Sequence, residues 1–361
     1  MKKVAKRTGK RTGTSRPKQA KRAPRASKSG RKSTSAPAPS RPPRAIVGVV
    51  APSSPAPLVE LEIGASRLAA EGFEVFFHPQ VKQVDAFFAG TDSERALALL
   101  DYAFDPDLTV IWAARGGYGA VRLLPILDEI LAKVGTPERK TLVGFSDATV
   151  LLEYVRTRWG WRAIHGPMPA TVHIERVRGK EWRAFTELLA GETDGFAFRT
   201  RPIHRPEGFT RVQGEVVGGN LAMIHSVLGT PYAFDLKGKI LFLEEIGEAP
   251  YRMDRMMQQL HLAGALDGVK AIVLGTFTDC RDSSPQVYAA APKGRGKPKM
   301  KPLRRTLSER EVLATVFGEM GAALGIPVYA GLPVGHGEGP GALELGVVAE
   351  LEADGSFGTR R

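Results

Sequence analysis

The sequence predicts an α/β protein made of two folded domains that follow a basic N-terminal tail. The chain has 361 residues, of which 43% are hydrophobic, and this suffices for about two domains with ordinary cores. Short apolar runs alternate with helical patterns in the first half, which is typical of a parallel sheet covered by helices. The second half contains several short strand-like runs and predicts a β-rich α+β domain.

The basic charge of the chain is concentrated at its N-terminus. Residues 1–44 hold 16 Lys or Arg side chains, no Asp or Glu and almost no large apolar residue. Such a segment cannot bury enough surface to offset its ordering entropy, so we expect a disordered tail. The remaining residues hold 35 basic and 38 acidic side chains. The tail is therefore either a solubilising extension or an electrostatic contact with a polyanion.

Cysteine content and hydropathy limit the class of protein. The single cysteine, Cys280, excludes a disulfide framework and a multi-cysteine zinc site. No apolar run approaches the ~18 residues that span a bilayer, and the basic N-terminus lacks the apolar stretch of a secretory signal. We expect a soluble, intracellular protein with no transmembrane segment.

The first folded domain is expected at residues 45–170. Strands alternating with helices of ordinary length predict βαβ units and a parallel sheet of the Rossmann or flavodoxin type. The predicted strands are 45–50, 73–78, 108–114 and 142–145, and the predicted helices are 58–71, 93–104, 120–134 and 148–158.

The second domain is expected at residues 206–361, after a linker region at 171–205. A capping box of Ser308 and Glu311 predicts a helix that continues to residue 324. The Pro, Gly, Lys and Arg of residues 282–305 indicate a basic surface insertion. A mixed or antiparallel sheet is expected from short strands at 239–243, 269–275, 328–330 and 343–348, with a further helix at 253–266.

A candidate nucleophile, Ser146, follows the strand at 142–145. Gly144 permits a tight strand-to-helix turn that lifts the hydroxyl clear of the sheet, and the next helix points its N–H groups towards it. A nucleophile elbow also has Gly two residues after the serine, where this chain has Ala148. Ser146 is therefore either a nucleophile or an ordinary N-cap.

A glycine-rich loop, Arg115 to Gly119, follows the preceding strand. Its glycine spacing is not that of a dinucleotide fingerprint, but a loop at this sheet edge allows close backbone approach to a ligand. It is either a structural turn or part of an oxyanion hole in which the N–H groups of Gly117 and Asp147 donate. One such donor typically lowers a barrier by ~3–4 kcal/mol.

A serine nucleophile also needs a base and a carboxylate that orients the base. Among seven histidines, His336 lies in a glycine-flanked loop after a strand, and His165 follows another strand and could line a pocket. Glu244 ends an apolar strand and is followed by Glu245. Either glutamate could orient the base, and Glu244 could equally be a rim charge paired with an arginine.

The ordered set of these segments resembles the LD-carboxypeptidases, the serine peptidase family of muramoyltetrapeptide carboxypeptidase. The agreement in order and spacing extends over about residues 45–350, whereas the tail and residues 282–305 lie outside the family pattern. The matching segments are 47–55, 114–119, 143–147, 165–167, 218–221, 241–245, 251–255 and 331–337.

The resemblance implies roles for individual residues. Ser146 would be the nucleophile, His336 the general base and Glu244 its orienting acid, with Gly117 and Asp147 forming the oxyanion hole. Glu245 stands where the family usually has Asp. The family is cofactor-free, uses no metal, is cytoplasmic and is commonly dimeric. It releases the terminal D-Ala of the murein tetrapeptide, after the L-centre of a diamino acid, in peptidoglycan recycling.

The sequence is compatible with more than one set of substrate contacts and more than one function. Arg115 could bind the free carboxylate of D-Ala or form a structural salt bridge, and Asn220 could bind the peptide or support the turn before it. A related branch of the family hydrolyses peptide–nucleotide antibiotic conjugates in self-immunity. A polyanion-associated binding protein, with Ser146 only a cap, is the non-enzymatic alternative. The diamino acid could be meso-diaminopimelate or lysine.

Overall fold

The computed structural model describes residues 42–171, 174–177, 179–193, 195–281 and 307–359, and the backbone of 286–288 and 300–302. Apart from 42–44, the predicted tail lies outside the described residues, as does most of the predicted insertion at 282–305. Arg44, at the end of the predicted tail, packs over the Phe73 ring at 5.0 Å and forms an ion pair of 2.6 Å with Glu192.

Sixteen strands are found in the described part of the chain. They are β1 (Ile46–Val50), β2 (Glu74–Phe77), β3 (Val110–Ala113), β4 (Thr141–Gly144), β5 (Arg162–His165), β6 (Ala197–Arg199), β7 (Arg201–His204), β8 (Arg211–Asn220), β9 (Ile240–Ile246), β10 (Ala271–Thr278), β11 (Gln286–Tyr288), β12 (Met300–Pro302), β13 (Val328–Ala330), β14 (Leu343–Leu345), β15 (Val348–Glu352) and β16 (Ser356–Thr359).

Nine α-helices accompany these strands in the same described part. They are α1 (Leu58–Ala69), α2 (Asp92–Ala103), α3 (Leu124–Val134), α4 (Thr149–Arg158), α5 (Gly179–Leu189), α6 (Leu221–Ser226), α7 (Pro250–Leu262), α8 (Glu309–Leu313) and α9 (Glu319–Leu324). A turn of π geometry, Ala314–Gly318, joins α8 to α9.

The first sheet confirms the predicted parallel α/β arrangement. Its strand order is β14-β5-β4-β3-β1-β2, in which β1 to β5 are parallel and β14 is antiparallel to β5. The order 2-1-3-4-5 is that of flavodoxin-like sheets. β3 and β4 are buried at every position, as expected for strands covered on both faces.

The second sheet is mixed, as the sequence predicted. Its order is β6-β16-β15-β8-β9-β10-β13-β7. The four central strands β8, β9, β10 and β13 are parallel, and antiparallel strands flank them. Ile240 to Leu243 of β9 are fully buried, because central parallel strands are covered on both faces. A continuous apolar cluster joins Leu151 of α4 to Leu241 of β9.

The structure differs from the sequence expectation in four segments. The strand expected at 343–348 is two strands, because Gly346 takes a φ of 82° that breaks an extended run. As a result β14 pairs in the first sheet although it lies within 206–361. The linker region 171–205 contains α5 and the edge strands β6 and β7, because these strands complete the second sheet.

The other two differences are shifts of helix boundaries. α3 begins at Leu124 after a 3₁₀ turn, because Pro125 fits the first turn of a helix and not its interior. α7 begins at Pro250 for the same reason, and it ends at Leu262 because Gly264 has a φ of 74°. The Ser308–Glu311 capping box is confirmed. Within the described ranges, no helix is both long and apolar enough to cross a bilayer.

Candidate active site

The predicted site residues of the first domain meet at the carboxyl ends of β1, β3 and β4. Ser54 N, after β1, donates a hydrogen bond of 3.3 Å to Gly116 O, after β3. β1 has β2 on one side and β3 on the other, so the order in which successive strands are added to the sheet reverses at β1. Ligands of open α/β sheets bind at this switch point.

Ser146 occupies a strained turn between β4 and α4. Its φ is 61°, a conformation that costs a residue other than glycine about 1–3 kcal/mol. Neither the 3₁₀ turn Ser146–Ala148 nor α4 has a side-chain hydrogen bond at its N-cap. The Ser146 hydroxyl therefore does not cap a helix, and the geometry is that of an elbow. A Cβ built on Gly144 would lie 2.9 Å from Ala148 Cβ, and the absence of a side chain at 144 therefore makes room for Ala148.

The glycine loop after β3 packs against this turn. A Cβ built on Gly116 would lie 2.8 Å from Ser146 Cβ and 3.5 Å from Asp147 N. Only glycine allows this approach, and it brings the backbone at 116–117 to the same side of Ser146 as the Asp147 N–H. Gly116 thus contacts the turn of Ser146 and Asp147, whereas the roles of the Gly117 and Asp147 N–H groups as oxyanion donors stay a prediction.

The Asp147 carboxylate ties the same two loops together. It is 1% exposed, and its Oδ2 accepts a hydrogen bond of 2.8 Å from Ala120 N. Burial raises its pKa, whereas hydrogen bonds from Ser53 and from the amides of Ala120 and Gly119 oppose the rise. The side-chain contacts of Asp147 are therefore structural.

His336 and Glu244 form the central polar pair of the second domain. His336 Nδ1 lies 2.6 Å from Glu244 Oε2. The Glu244 side chain is fully buried and that of His336 is 13% exposed. The ring of His336 is 4.7 Å from the ring of Phe145, the residue before Ser146. No hydrogen bond between the Ser146 hydroxyl and His336 is found among the described side chains, although such bonds often tighten only when substrate binds.

The loop that carries His336 is held by Thr276, which the sequence analysis missed. Thr276 Oγ1 accepts a hydrogen bond of 3.0 Å from Gly337 N, and Thr276 N donates one of 3.0 Å to Val334 O. Gly335 between them has a φ of 119°, and a Cβ built on it would lie 2.7 Å from Glu244 Oε2. The only signal for Thr276 in the sequence is its place near the end of a predicted strand.

Glu245 and Asn220 face away from this pair. Glu245 accepts hydrogen bonds from Asn220 Nδ2, Ile246 N and Ala222 N at 2.8–2.9 Å, and its burial raises its pKa. Asn220 Oδ1 accepts from Met223 N at 3.2 Å and caps α6. Both ends of the Asn220 side chain are thus engaged within the protein. Its predicted contact with substrate stays a prediction, and the alternative structural role accounts for these bonds.

Arg115 is half-buried beside the glycine loop. Its Nη1 donates a hydrogen bond of 3.2 Å to Pro55 O. Within the described part of the chain it forms no ion pair, which the alternative of a structural salt bridge would require. A guanidinium held by a carbonyl retains donors for a carboxylate ligand.

A second histidine, His165, lies behind the pair and was singled out in the sequence only for its place after a strand. It is fully buried, and burial lowers its pKa to about 4, with Glu244 raising and His336 lowering it. The described residues hold no group of three or more His, Cys, Asp or Glu arranged as metal ligands.

Comparison with known proteins agrees with this geometry. Residues 47–166 match the model of the LD-carboxypeptidase N-terminal domain, and residues 213–351 match that of the C-terminal domain. The chain therefore belongs to the LD-carboxypeptidase family and is a hydrolase of the peptidase class.

Individual relatives cover most of the chain. A murein tetrapeptide carboxypeptidase of Pseudomonas aeruginosa is 32% identical over 85% of this chain and 93% of its own length. The crystal structure of muramoyltetrapeptide carboxypeptidase from Oxalobacter formigenes is 29% identical, with a TM-score of 0.67 over 87% of this chain and 97% of that one. The Microcin C7 self-immunity protein of Escherichia coli is 28% identical over 62% of this chain and 73% of its own length.

Proposed function

We propose that this protein is a serine-type LD-carboxypeptidase that releases the terminal D-Ala of the murein tetrapeptide. The observation that carries the proposal is the buried Glu244–His336 pair beside a strained, elbow-like Ser146. Relatives named as murein tetrapeptide carboxypeptidases support the substrate.

In the proposed reaction, the Ser146 hydroxyl oxygen attacks the carbonyl carbon of the last peptide bond while His336 Nε2 takes its proton. Glu244 fixes the tautomer of His336 through Nδ1 and stabilises the imidazolium. The oxyanion that forms faces the N–H groups of Gly117 and Asp147. The C–N bond then breaks, and His336 returns the proton to the D-Ala amine.

An ester between Ser146 and the shortened peptide remains after D-Ala leaves. Water attacks its carbonyl carbon and gives a proton to His336, and the Ser146 oxygen leaves and recovers that proton. The products are the tripeptide and free D-Ala, with the enzyme regenerated. We propose that this reaction is a step in the recycling of peptidoglycan peptides.

The direct test is incubation of the purified protein with L-Ala-γ-D-Glu-meso-diaminopimelyl-D-Ala and measurement of free D-Ala. We expect release from this peptide and none from the epimer with terminal L-Ala. The lysine-containing tetrapeptide, run in parallel, identifies the diamino acid. Absence of D-Ala release from both tetrapeptides would contradict the proposal.

Hydrolysis of a peptide–nucleotide conjugate is the second candidate, because the Microcin C7 self-immunity protein matches 62% of this chain. An aminoacyl sulfamoyl adenosine distinguishes the two functions. Cleavage of this compound without D-Ala release would establish the second candidate. If neither substrate is cleaved, the remaining alternative is a non-enzymatic protein that binds polyanions.

Arg115 is expected to bind the free carboxylate of D-Ala in the proposed function. Arg115→Met should lower kcat/KM for the tetrapeptide by about 10- to 100-fold, the effect of losing a hydrogen bond to a charged group. The wild type should discriminate against the peptide with a C-terminal amide, and the variant should lose this discrimination. Arg252→Met, at an exposed arginine of α7, is the control. Retained discrimination in Arg115→Met would exclude the role.

Gly335 is expected to be required because any side chain there meets Glu244. Gly335→Ala should lower kcat by about 100-fold, since displacements of about 1 Å in a site have effects of this size. Gly229→Ala is the matched control: Gly229 also has a positive φ, of 77°, but a Cβ there would meet nothing within 4 Å. Equal losses of kcat in both variants would show that backbone strain alone is responsible.

The homodimer, the cytoplasmic location and a polyanion contact of the tail are further proposals that rest on the family resemblance and on charge. Light scattering on the full chain would determine the oligomeric state. Binding of the full chain and of a chain beginning at residue 42 to a nucleic acid would test the tail.

A further inference from the structure

His165 carries two polar atoms that the described structure leaves unpaired. The residue ends β5, where it pairs in register with Gly144 of β4 and Leu343 of β14. Its side chain is fully buried, and neither ring nitrogen has a hydrogen-bond partner among the described residues. A buried polar group without a partner lowers the stability of a fold, and nothing in the packing of His165 compensates for this among the described residues.

His165 contacts residues that adjoin the proposed catalytic pair of Glu244 and His336. Its ring contacts Phe242 edge-to-face, with centroids 5.0 Å apart and planes at 84°. Phe242 and Glu244 are alternate residues of β9 and therefore project from the same face of the strand. The Phe145 ring lies 5.8 Å from His165 and 4.7 Å from His336.

Glu244 has an unpaired atom on the same side. Its Oε2 holds His336, whereas its Oε1 is buried without a hydrogen-bond partner in the described residues. Because burial lowers the pKa of His165 to about 4, its ring is neutral near pH 7 and has one N–H to donate. His165, which packs on Phe242, and Glu244, two residues further along β9, thus each carry a buried polar atom without a partner among the described residues.

We propose that His165 is a positioning residue for Glu244, linked to its Oε1 by one bridging water molecule that accepts a hydrogen bond from the His165 N–H and donates one to Oε1. The inference rests on the proposed function, because it gives His165 its effect through the Glu244–His336 pair. With both oxygens held, the carboxylate keeps its orientation and its charge while His336 gains a proton. A single bridging water between two buried polar groups is a common solution in proteins.

A purely structural role makes the opposite prediction. If His165 only filled space, His165→Leu would replace an unpaired polar ring by an apolar side chain, so it would raise the melting temperature and leave kcat unchanged. If His165 positions Glu244, the same variant should lose about 10- to 100-fold in kcat, an effect typical of residues that orient a catalytic ligand. KM should stay within about twofold, because His165 does not touch substrate.

The experiment compares His165→Leu, His165→Asn and His165→Gln with the wild type for kcat, KM and melting temperature. The amide nitrogens of Asn and Gln approximate the positions of Nδ1 and Nε2, so one of the two should recover most of the activity and identify the donor. His261→Leu is the matched control, because His261 Nδ1 is also buried without a partner but lies on α7. We expect no change of kcat in it.

A second readout separates this inference from the proposed function. The proton between His336 Nδ1 and Glu244 Oε2 should give a far-downfield proton NMR signal, whether or not the protein cleaves the tetrapeptide. We expect the signal to shift or broaden in His165→Leu and to return in the active amide variant. An unchanged signal with unchanged kcat would overturn the positioning role. An altered signal in a protein without D-Ala release would support positioning and contradict only the proposed function.

Discussion

Ser146→Ala is expected to reduce the kcat for D-Ala release by about 10⁴- to 10⁶-fold, the range seen when the nucleophile of a serine triad is removed. The Ser146 hydroxyl lies at the strained turn against which the glycine loop packs, since a Cβ built on Gly116 would lie 3.0 Å from Ser146 Oγ. The measurement is single-turnover release of D-Ala at saturating enzyme, with Ser226→Ala as the control. Ser226 lies in α6 and donates its hydroxyl to Met223 O at 2.7 Å, away from the site.

A companion variant separates loss of chemistry from loss of fold. Because Ser146 has a φ of 61°, Ser146→Gly removes backbone strain and should raise the free energy of unfolding by about 1 kcal/mol. The variant should nevertheless be inactive. More than a tenth of wild-type activity in either Ser146 variant would mean that another residue is the nucleophile.

Glu244→Gln is expected to lower kcat by about 10³- to 10⁴-fold while the fold is retained. A glutamine amide that donates to Nδ1 would hold His336 in the wrong tautomer, as observed for the corresponding change in serine triads. The kcat of D-Ala release and the pH dependence of kcat/KM are the measurements. The variant should show little residual activity at any pH.

Glu245→Gln provides the matched control at the neighbouring position. Glu245 accepts three hydrogen bonds from Asn220, Ala222 and Ile246, and a glutamine has only one oxygen to accept them. We expect a loss of about 1–3 kcal/mol in the free energy of unfolding with kcat within a fewfold of wild type. An inactive Glu245→Gln beside an active Glu244→Gln would reverse the assignment of the two carboxylates.

The sequence by itself determined the α/β class and the place of the site. Alternating apolar runs and helical patterns correctly predicted the parallel strands β1, β2, β3 and β4. The central strands β1, β3 and β4 were clearest, because strands covered on both faces are apolar almost throughout. Gly144 and Ser146 were recognisable because a tight turn at a strand end needs a small residue. The candidate site residues were predicted at or just after strand ends, where parallel sheets open towards a ligand.

Other features depended on how distant segments meet. β14, which ends before Gly346, pairs in the first sheet, and residues 197–204 complete the second sheet. Neither pairing was predicted, because strand pairing depends on partners far along the chain. His165 lay beside a strand end in the sequence, but its closeness to Glu244 arises only from the packing of β5 against β9.

The choice between Glu244 and Glu245 shows the limit most directly. Successive residues of a strand point to opposite faces, so the sequence guarantees that only one of the two can face a given histidine. The sequence does not show which face of β9 borders His336. The packing of β9 between β8 and β10, with the loop of Gly335 and His336 above it, decides that Glu244 contacts His336 and that Glu245 holds the start of α6.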